Sequence, residues 1–174
     1  MIFIGPLRSR SGGLLLLLLL PICASAQHSI LSWAYGPFGT PGDAAFVVED
    51  DHIYQACGAY GSRGPCLYVI NGDQVYHTED TFGRTGICAF TLENDKLIRA
   101  QGTTCTHGSC ALIVEQNRIF RAEGPACNKL EGAFLIDGST VFLAEGPFAA
   151  KSDALFEIKG DVPPIALLAI LAGF

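Results

Sequence analysis

A period of about 22 residues runs through the chain and constrains its fold more than any single motif. The segments Ala45-Phe46-Val47-Val48, Leu67-Tyr68-Val69-Ile70, Ala89-Phe90-Thr91-Leu92, Ala111-Leu112-Ile113-Val114, Ala133-Phe134-Leu135-Ile136 and Leu155-Phe156-Glu157-Ile158 share one register. A second apolar segment follows each of the first five after a short polar stretch: Ile53-Tyr54, Val75-Tyr76, Leu97-Ile98, Ile119-Phe120 and Val141-Phe142, with Leu31-Ser32 as a weaker first copy. A fixed period of this length marks a repeat architecture, in which a unit too small to bury its own apolar face stacks on its neighbours. Short apolar runs bounded by turn residues read as strands. The expectation is twelve strands over residues 29–158.

The connections alternate in kind. Between paired segments stand Glu49-Asp50-Asp51-His52, Asn71-Gly72-Asp73-Gln74, Glu93-Asn94-Asp95-Lys96, Glu115-Gln116-Asn117-Arg118 and Asp137-Gly138-Ser139-Thr140. Gly, Asn or Asp at their centres suits the positive φ of a primed two-residue hairpin turn. Such a turn at residues 72 and 73 sets Ile70 opposite Val75, Val69 opposite Tyr76 and Tyr68 opposite His77. The other connections, such as residues 58–65 and 124–131, are longer, Gly-rich and variable, as surface loops are. The fold expected is all-β: a closed, shallow barrel of six serial hairpins. A right-handed β-solenoid, with one coil per repeat, is the alternative, disfavoured by paired Asx/Gly tips at one fixed place in each unit.

Both faces of each hairpin are apolar near the tip. Farther away, one face is expected to turn small, through Ala100, Ala122 and Ala144 with Ala89, Ala111 and Ala133, while the other gains Arg99, Gln101, Arg121, Glu123 and Glu145. Something must cover the second apolar face. Pro163-Pro164 breaks the last strand, and residues 165–174 carry no charge and are rich in Ala, Leu and Ile. A helix apolar on every side is a buried one. At about ten residues it is ~15 Å long, suited to plugging the ring, the alternatives being insertion into a lipid surface or a frayed tail. The chain thus divides into residues 1–26, a hairpin-repeat domain over 27–162, and a hydrophobic helix over 163–174.

This layout of tandem hairpins with Gly-Asp tips and an Ala/Leu-rich tail resembles the β-flower proteins, shallow symmetric barrels whose hairpins spread as petals. It is similar in outline to the tubby C-terminal domain, a closed barrel around a hydrophobic helix. The resemblance rests on repeat layout over residues 29–174, and it implies lipid or membrane association without assigning any headgroup-binding residue.

The first residues carry an address. Arg8 and Arg10, the apolar run Leu14–Leu20 and Ala24-Ser25-Ala26 form the basic, hydrophobic and small-residue regions of a secretory signal peptide, cut between Ala26 and Gln27. The mature chain then holds nine basic and 17 acidic residues, a balance that argues against nucleic-acid binding. It also keeps six cysteines, 57, 66, 88, 105, 110 and 127, in an oxidising compartment where disulfides are the rule. Cys57 and Cys66 flank one loop and Cys105 and Cys110 another, which makes these the expected pairs and leaves Cys88 and Cys127 open.

Chemistry is harder to find. The run Cys105-Thr106-His107-Gly108-Ser109-Cys110 offers three metal ligands but no second pair at zinc spacing, so no metal or other cofactor is expected. The histidines are scattered, and no nucleophile-base set stands out. The chain reads as non-catalytic. Its most suggestive feature is the ring Tyr54, Tyr76, Ile98, Phe120 and Phe142, which, if exposed, would contact a membrane surface or a hydrophobic ligand. The competing readings are core packing for that ring, and a disulfide-stapled extracellular domain that binds a protein partner through its loops.

Overall fold

The computed structural model describes residues 28–174. The expected leader and its Ala26/Gln27 cleavage point lie outside those residues. Twelve strands follow one another: β1 (His28–Tyr35), β2 (Thr40–Glu49), β3 (His52–Cys57), β4 (Ser62–Asn71), β5 (Gln74–Thr78), β6 (Thr85–Glu93), β7 (Lys96–Gln101), β8 (Thr106–Glu115), β9 (Arg118–Glu123), β10 (Asn128–Asp137), β11 (Thr140–Glu145) and β12 (Ala150–Lys159). Each pairs antiparallel with its sequence neighbours, and β1 pairs with β12, so the sheet is a closed barrel with no free edge. The tight turns between β2 and β3 and their equivalents crowd one end, here the tip end. The longer connections occupy the other, the loop end. The solenoid alternative is excluded, because every neighbouring pair is antiparallel.

The turn chemistry sets the register as expected, with Ile70 opposite Val75, Val69 opposite Tyr76 and Tyr68 opposite His77. One regular departure follows. Between hairpins the register slips twice, at the same two repeat positions each time: Val75 pairs with Phe90 but Tyr76 with Cys88 and Thr78 with Thr85, and Leu97 pairs with Leu112 but Ile98 with Cys110 and Ala100 with His107. The residues skipped at the first slip, Ala89 and Ala111, are β-bulges, as are Ala45, Leu67, Ala133 and Leu155 at the same position. An extra residue changes the parity of the strand. The two alanine series therefore do not share a face: Ala89, Ala111 and Ala133 join the central core, whereas Ala100 and Ala144 belong to separate clusters on the other side of the wall.

The central core is built in rings. Leu31, Ile53, Val75, Leu97, Ile119 and Val141, one per hairpin at the same place in each repeat, are completely buried. Phe90, Leu112, Phe134 and Phe156 complete the wall. Burying an aliphatic or aromatic side chain of this size contributes roughly 1.5–3 kcal/mol. Pro163 leads into helix α1 (Pro164–Leu171), whose residues Ile165 through Leu171 are all buried in this core. Of the placements open to so apolar a segment, the helix takes that of the plug. Phe174 follows it toward the loop end and packs on Trp33, Phe46 and Phe156, with ring centroids 5.8, 6.4 and 5.4 Å away.

Backbone hydrogen bonds repeat with the sequence. At the tip end the Asp51 carbonyl accepts from Ile70 N–H at 2.7 Å, Asp73 from Leu92 at 2.9 Å, Asp95 from Val114 at 2.8 Å and Asn117 from Ile136 at 2.8 Å. At the loop end Gly102 accepts from Cys88 N–H at 2.9 Å, Gly124 from Cys110 at 3.0 Å and Gly146 from Gly132 at 2.8 Å. Neighbouring hairpins are thus tied to each other at both ends.

Candidate functional site

The ring singled out in the sequence is buried at two of its five positions and half-buried at the other three. Phe120 and Phe142 are only 2% and 5% exposed, and Tyr54, Tyr76 and Ile98 are partly buried. At Tyr54, Phe120 and Phe142 the cover is a repeated latch. Lys129 Nζ lies 4.5 Å from the Phe120 ring centre and 2.8 Å from Glu115; Lys151 Nζ lies 3.7 Å from the Phe142 ring and 2.8 Å from Asp137. Arg63 stands over Tyr54 at 5.6 Å while pairing with Glu49 at 2.9 Å. Each cation is held by the carboxylate of the tip that precedes it in the chain, and it shields an aromatic face. Phe120 and Phe142 are therefore packing residues, and the expectation that they form an exposed annulus is corrected.

The cysteines also pair differently from expectation. Disulfides join Cys88 to Cys105 and Cys110 to Cys127, while Cys57 is a free exposed thiol and Cys66 a free buried one. Neither Cys57 with Cys66 nor Cys105 with Cys110 is bonded. The reason is the backward fold of the loops. The last loop residue adopts a left-handed conformation, φ 51° at Cys105 and 53° at Cys127, which carries its side chain onto the preceding hairpin. Both bridges have a sequence separation of 17, and the uncrosslinked equivalents have the same. Where Cys88 meets Cys105, Gly132 meets Ala149, so closely that a Cβ on Gly132 would lie 2.4 Å from the Ala149 Cα. Likewise a Cβ on Gly83 would lie 3.4 Å from Cys66 Sγ, and one on Gly61 3.3 Å from the Ala44 Cβ.

This arrangement disperses the proposed metal ligands. Cys105 and Cys110 sit in different disulfides and His107 Nε2 pairs with Glu93 at 2.9 Å. Among the described residues no group of three His, Cys, Asp or Glu side chains is placed to hold a metal ion.

What the loops do present is aromatic. Phe38, Tyr60, Phe82 and Phe148 are 96, 95, 90 and 79% exposed. They occupy one repeat position on four hairpins consecutive around the closed ring, since β12 adjoins β1. The two remaining hairpins carry Thr104 and Ala126 there, on the disulfide-bonded loops. The short turns 36–39, 58–61, 102–105, 124–127 and 146–149 contain no charged residue. The third loop does, and it is internally braced: the Asp80 carboxylate accepts from the amides of Phe82 at 3.0 Å and Arg84 at 3.1 Å. The Arg84 amide, with the other loop amides and the Arg84 charge, holds the Asp80 carboxyl below its usual range. At the opposite end the tips are acidic, with Glu49, Asp50, Asp51, Asp73, Glu93, Asp95, Glu115 and Asp137. The two ends differ in what they expose: aromatic rings stand out only at the loop end, while carboxylates occur at both ends, those of Glu49, Glu115 and Asp137 paired with Arg63, Lys129 and Lys151.

Inside the loop-end mouth one further row is visible. Trp33, Gln55, His77, Arg99, Arg121 and Leu143 pair with core residues Phe156, Phe46, Tyr68, Phe90, Leu112 and Phe134 and therefore face the same side as the plug. The guanidinium of Arg121 donates to the Phe174 carbonyl at 3.1 Å.

The aromatic loop row escaped the sequence reading although it has the same period, because it lies in segments judged by their variable composition. The two disulfides are compatible with an extracellular or periplasmic location. Among the described residues no helix is long and apolar enough to cross a membrane, which says nothing of spanning by strands. Compared with protein-family models, curated proteins and solved structures, the chain finds no match.

Proposed function

We propose that the mature protein is a secreted, non-catalytic module that docks on a lipid surface through the aromatic arc Phe148, Phe38, Tyr60 and Phe82. The observation that carries this reading is the near-complete exposure of four aromatic rings on neighbouring loops whose turns are almost free of charge. Large exposed apolar rings are unfavourable in water, and aromatic residues partition to the membrane interface, where ring and polar headgroup are both accommodated. The resemblance to β-flower and tubby-like barrels supports the same reading, membrane association being what it implies.

Flotation of the mature protein with phosphatidylcholine vesicles in high salt tests it. Wild type should float, and Phe38→Ser/Tyr60→Ser/Phe82→Ser/Phe148→Ser should not. All four side chains are exposed, so the variant keeps its core and its near-ultraviolet circular dichroism. Failure of the wild type to float would sink the reading and turn the same loops into a protein-binding surface.

A further inference from the structure

A sixfold repeat supplies its own controls: a position that departs from its five equivalents without a packing reason has been shaped by something else. The loop-end mouth contains one such place. A recess of about 470 Å³ opens between β5 and β8, lined among others by His77, Ile87, Phe90, Arg99, Gln101 and Ser109, and none of its lining residues is acidic. Elsewhere around the ring the position of Ile87 and Ser109 is held by Asp43, Pro65, Glu131 and Asp153. Carboxylates thus hold three of the other four places and give way here to an isoleucine and a serine. Where the row faces the plug, the two arginines differ in employment. Arg121 is bound to the Phe174 carbonyl, whereas Arg99 is exposed and has no ion-pair or hydrogen-bond partner among the described residues.

We infer that this recess binds a monocarboxylate with an apolar body, of the fatty-acid type. The planar guanidinium of Arg99 offers two parallel N–H groups that match a carboxylate. Gln101 and Ser109 add side-chain donors at the rim, and Ile87, Ala89 and Phe90 supply apolar wall for the first carbons of the chain. The volume falls in the range of ligand pockets, roughly 300–1,000 Å³. Among the described residues Arg99 is the one arginine or lysine in the lining, with His77 beside it, so a singly charged carboxylate matches the fixed charge better than a phosphate dianion. The inference is independent of lipid-surface docking, because the recess lies inside the mouth and its ligand is a single soluble molecule.

Titration calorimetry of the whole mature protein with decanoate below its micelle concentration, without vesicles, tests it. Saturable one-to-one binding is expected, weakened at least tenfold by Arg99→Gln and by exchanging decanoate for decanol. Arg99→Lys, which keeps the charge and loses the fork, should fall between. Arg118→Gln, at the tip end, should bind as wild type. Non-saturable heats, equal affinity for decanol, or undiminished binding by Arg99→Gln would overturn the site, and tighter binding of octyl phosphate than of decanoate would overturn the carboxylate assignment.

Discussion

Two halves of the ring solve one joint in different ways. At Cys88–Cys105 and Cys110–Cys127 the loop is tied to the preceding hairpin by a covalent bond, whereas at Gly132–Ala149, Ala44–Gly61 and Ala154–Gly39 the same contact is close packing of small residues. The crosslinked loops carry Thr104 and Ala126 where the packed loops carry Phe148, Phe38 and Tyr60. The joint therefore does not depend on the sulfur. It depends on the left-handed residue that turns the loop back, which has φ 49° at Ala149, close to the 51° of Cys105 and the 53° of Cys127. Covalent stiffness and aromatic display are separated around the circle, with the Cys66–Gly83 joint, half sulfur and half glycine, at the boundary.

The largest expected effect is on the crosslinked half. Each bridge closes a sequence separation of 17, and a loop of that size corresponds to about 3 kcal/mol of stabilisation. Replacing Cys88, Cys105, Cys110 and Cys127 by serine should remove most of twice that figure, read as the guanidinium midpoint, while the apolar plug keeps strand content in far-ultraviolet circular dichroism. An unchanged midpoint would make the sulfurs redundant with the packing. A smaller gain is expected from the reverse exchange. Gly132→Cys/Ala149→Cys recreates the crosslinked joint at its natural separation, and oxidation should close it, with a loss of two hydrogens by mass and a stabilisation of about 1–2 kcal/mol, reduced because the hairpins must move apart to admit a Cβ. Persistence of two free thiols there would show that the joints are not geometrically equivalent.

The smallest effect belongs to the boundary. Burial pushes the Cys66 thiol above the ordinary thiol range. Its folded state favours the protonated form, so its contribution to stability is complete below the ordinary thiol pKa and is lost as pH rises through the raised value. In Cys57→Ser, labelling of Cys66 by a maleimide should stay slow until strongly alkaline pH, whereas in Cys66→Ser the exposed Cys57 should react at once near neutrality. Equal rates near neutral pH would place Cys66 at the surface.

Much of this molecule was legible in its sequence because repetition and turn chemistry act locally. Asx and Gly residues at the tips set hairpin register residue by residue, and the charge-free tail suited a plug, although its sequence fitted insertion into a lipid surface as well. What the sequence concealed was the consequence of the bulge at Ala89 and its equivalents. The extra residue turns Ala89, Ala111 and Ala133 onto the core, while Ala100 and Ala144, by simple alternation from Leu97 and Val141, stay on the outer face, where Lys129 and Lys151 lie across Phe120 and Phe142. Pairing cysteines by the loop they flank failed for a related reason, since the loops fold backward. A better clue was present in the equal spacing of 88 to 105 and 110 to 127. The site fared worse than the fold: the ring at Tyr54 to Phe142 was read from the strands, where period and apolarity coincide for structural reasons, and the exposed row at Phe38, Tyr60, Phe82 and Phe148 was overlooked.

The meeting of β1 with β12 has a consequence for biosynthesis. Every other strand pairs with one that immediately follows it, whereas this seam joins residues such as Ser29 and Asp161, 132 positions apart. Hairpins can form one after another as the chain emerges, but the circle closes only when its last strand arrives, and the plug comes later still. Until then the growing sheet has two raw margins and an empty centre. A chain halted before Ala150 would keep both, a template for pairing with its own copies, so that the last strand and the plug remove the edges through which the unfinished sheet could associate.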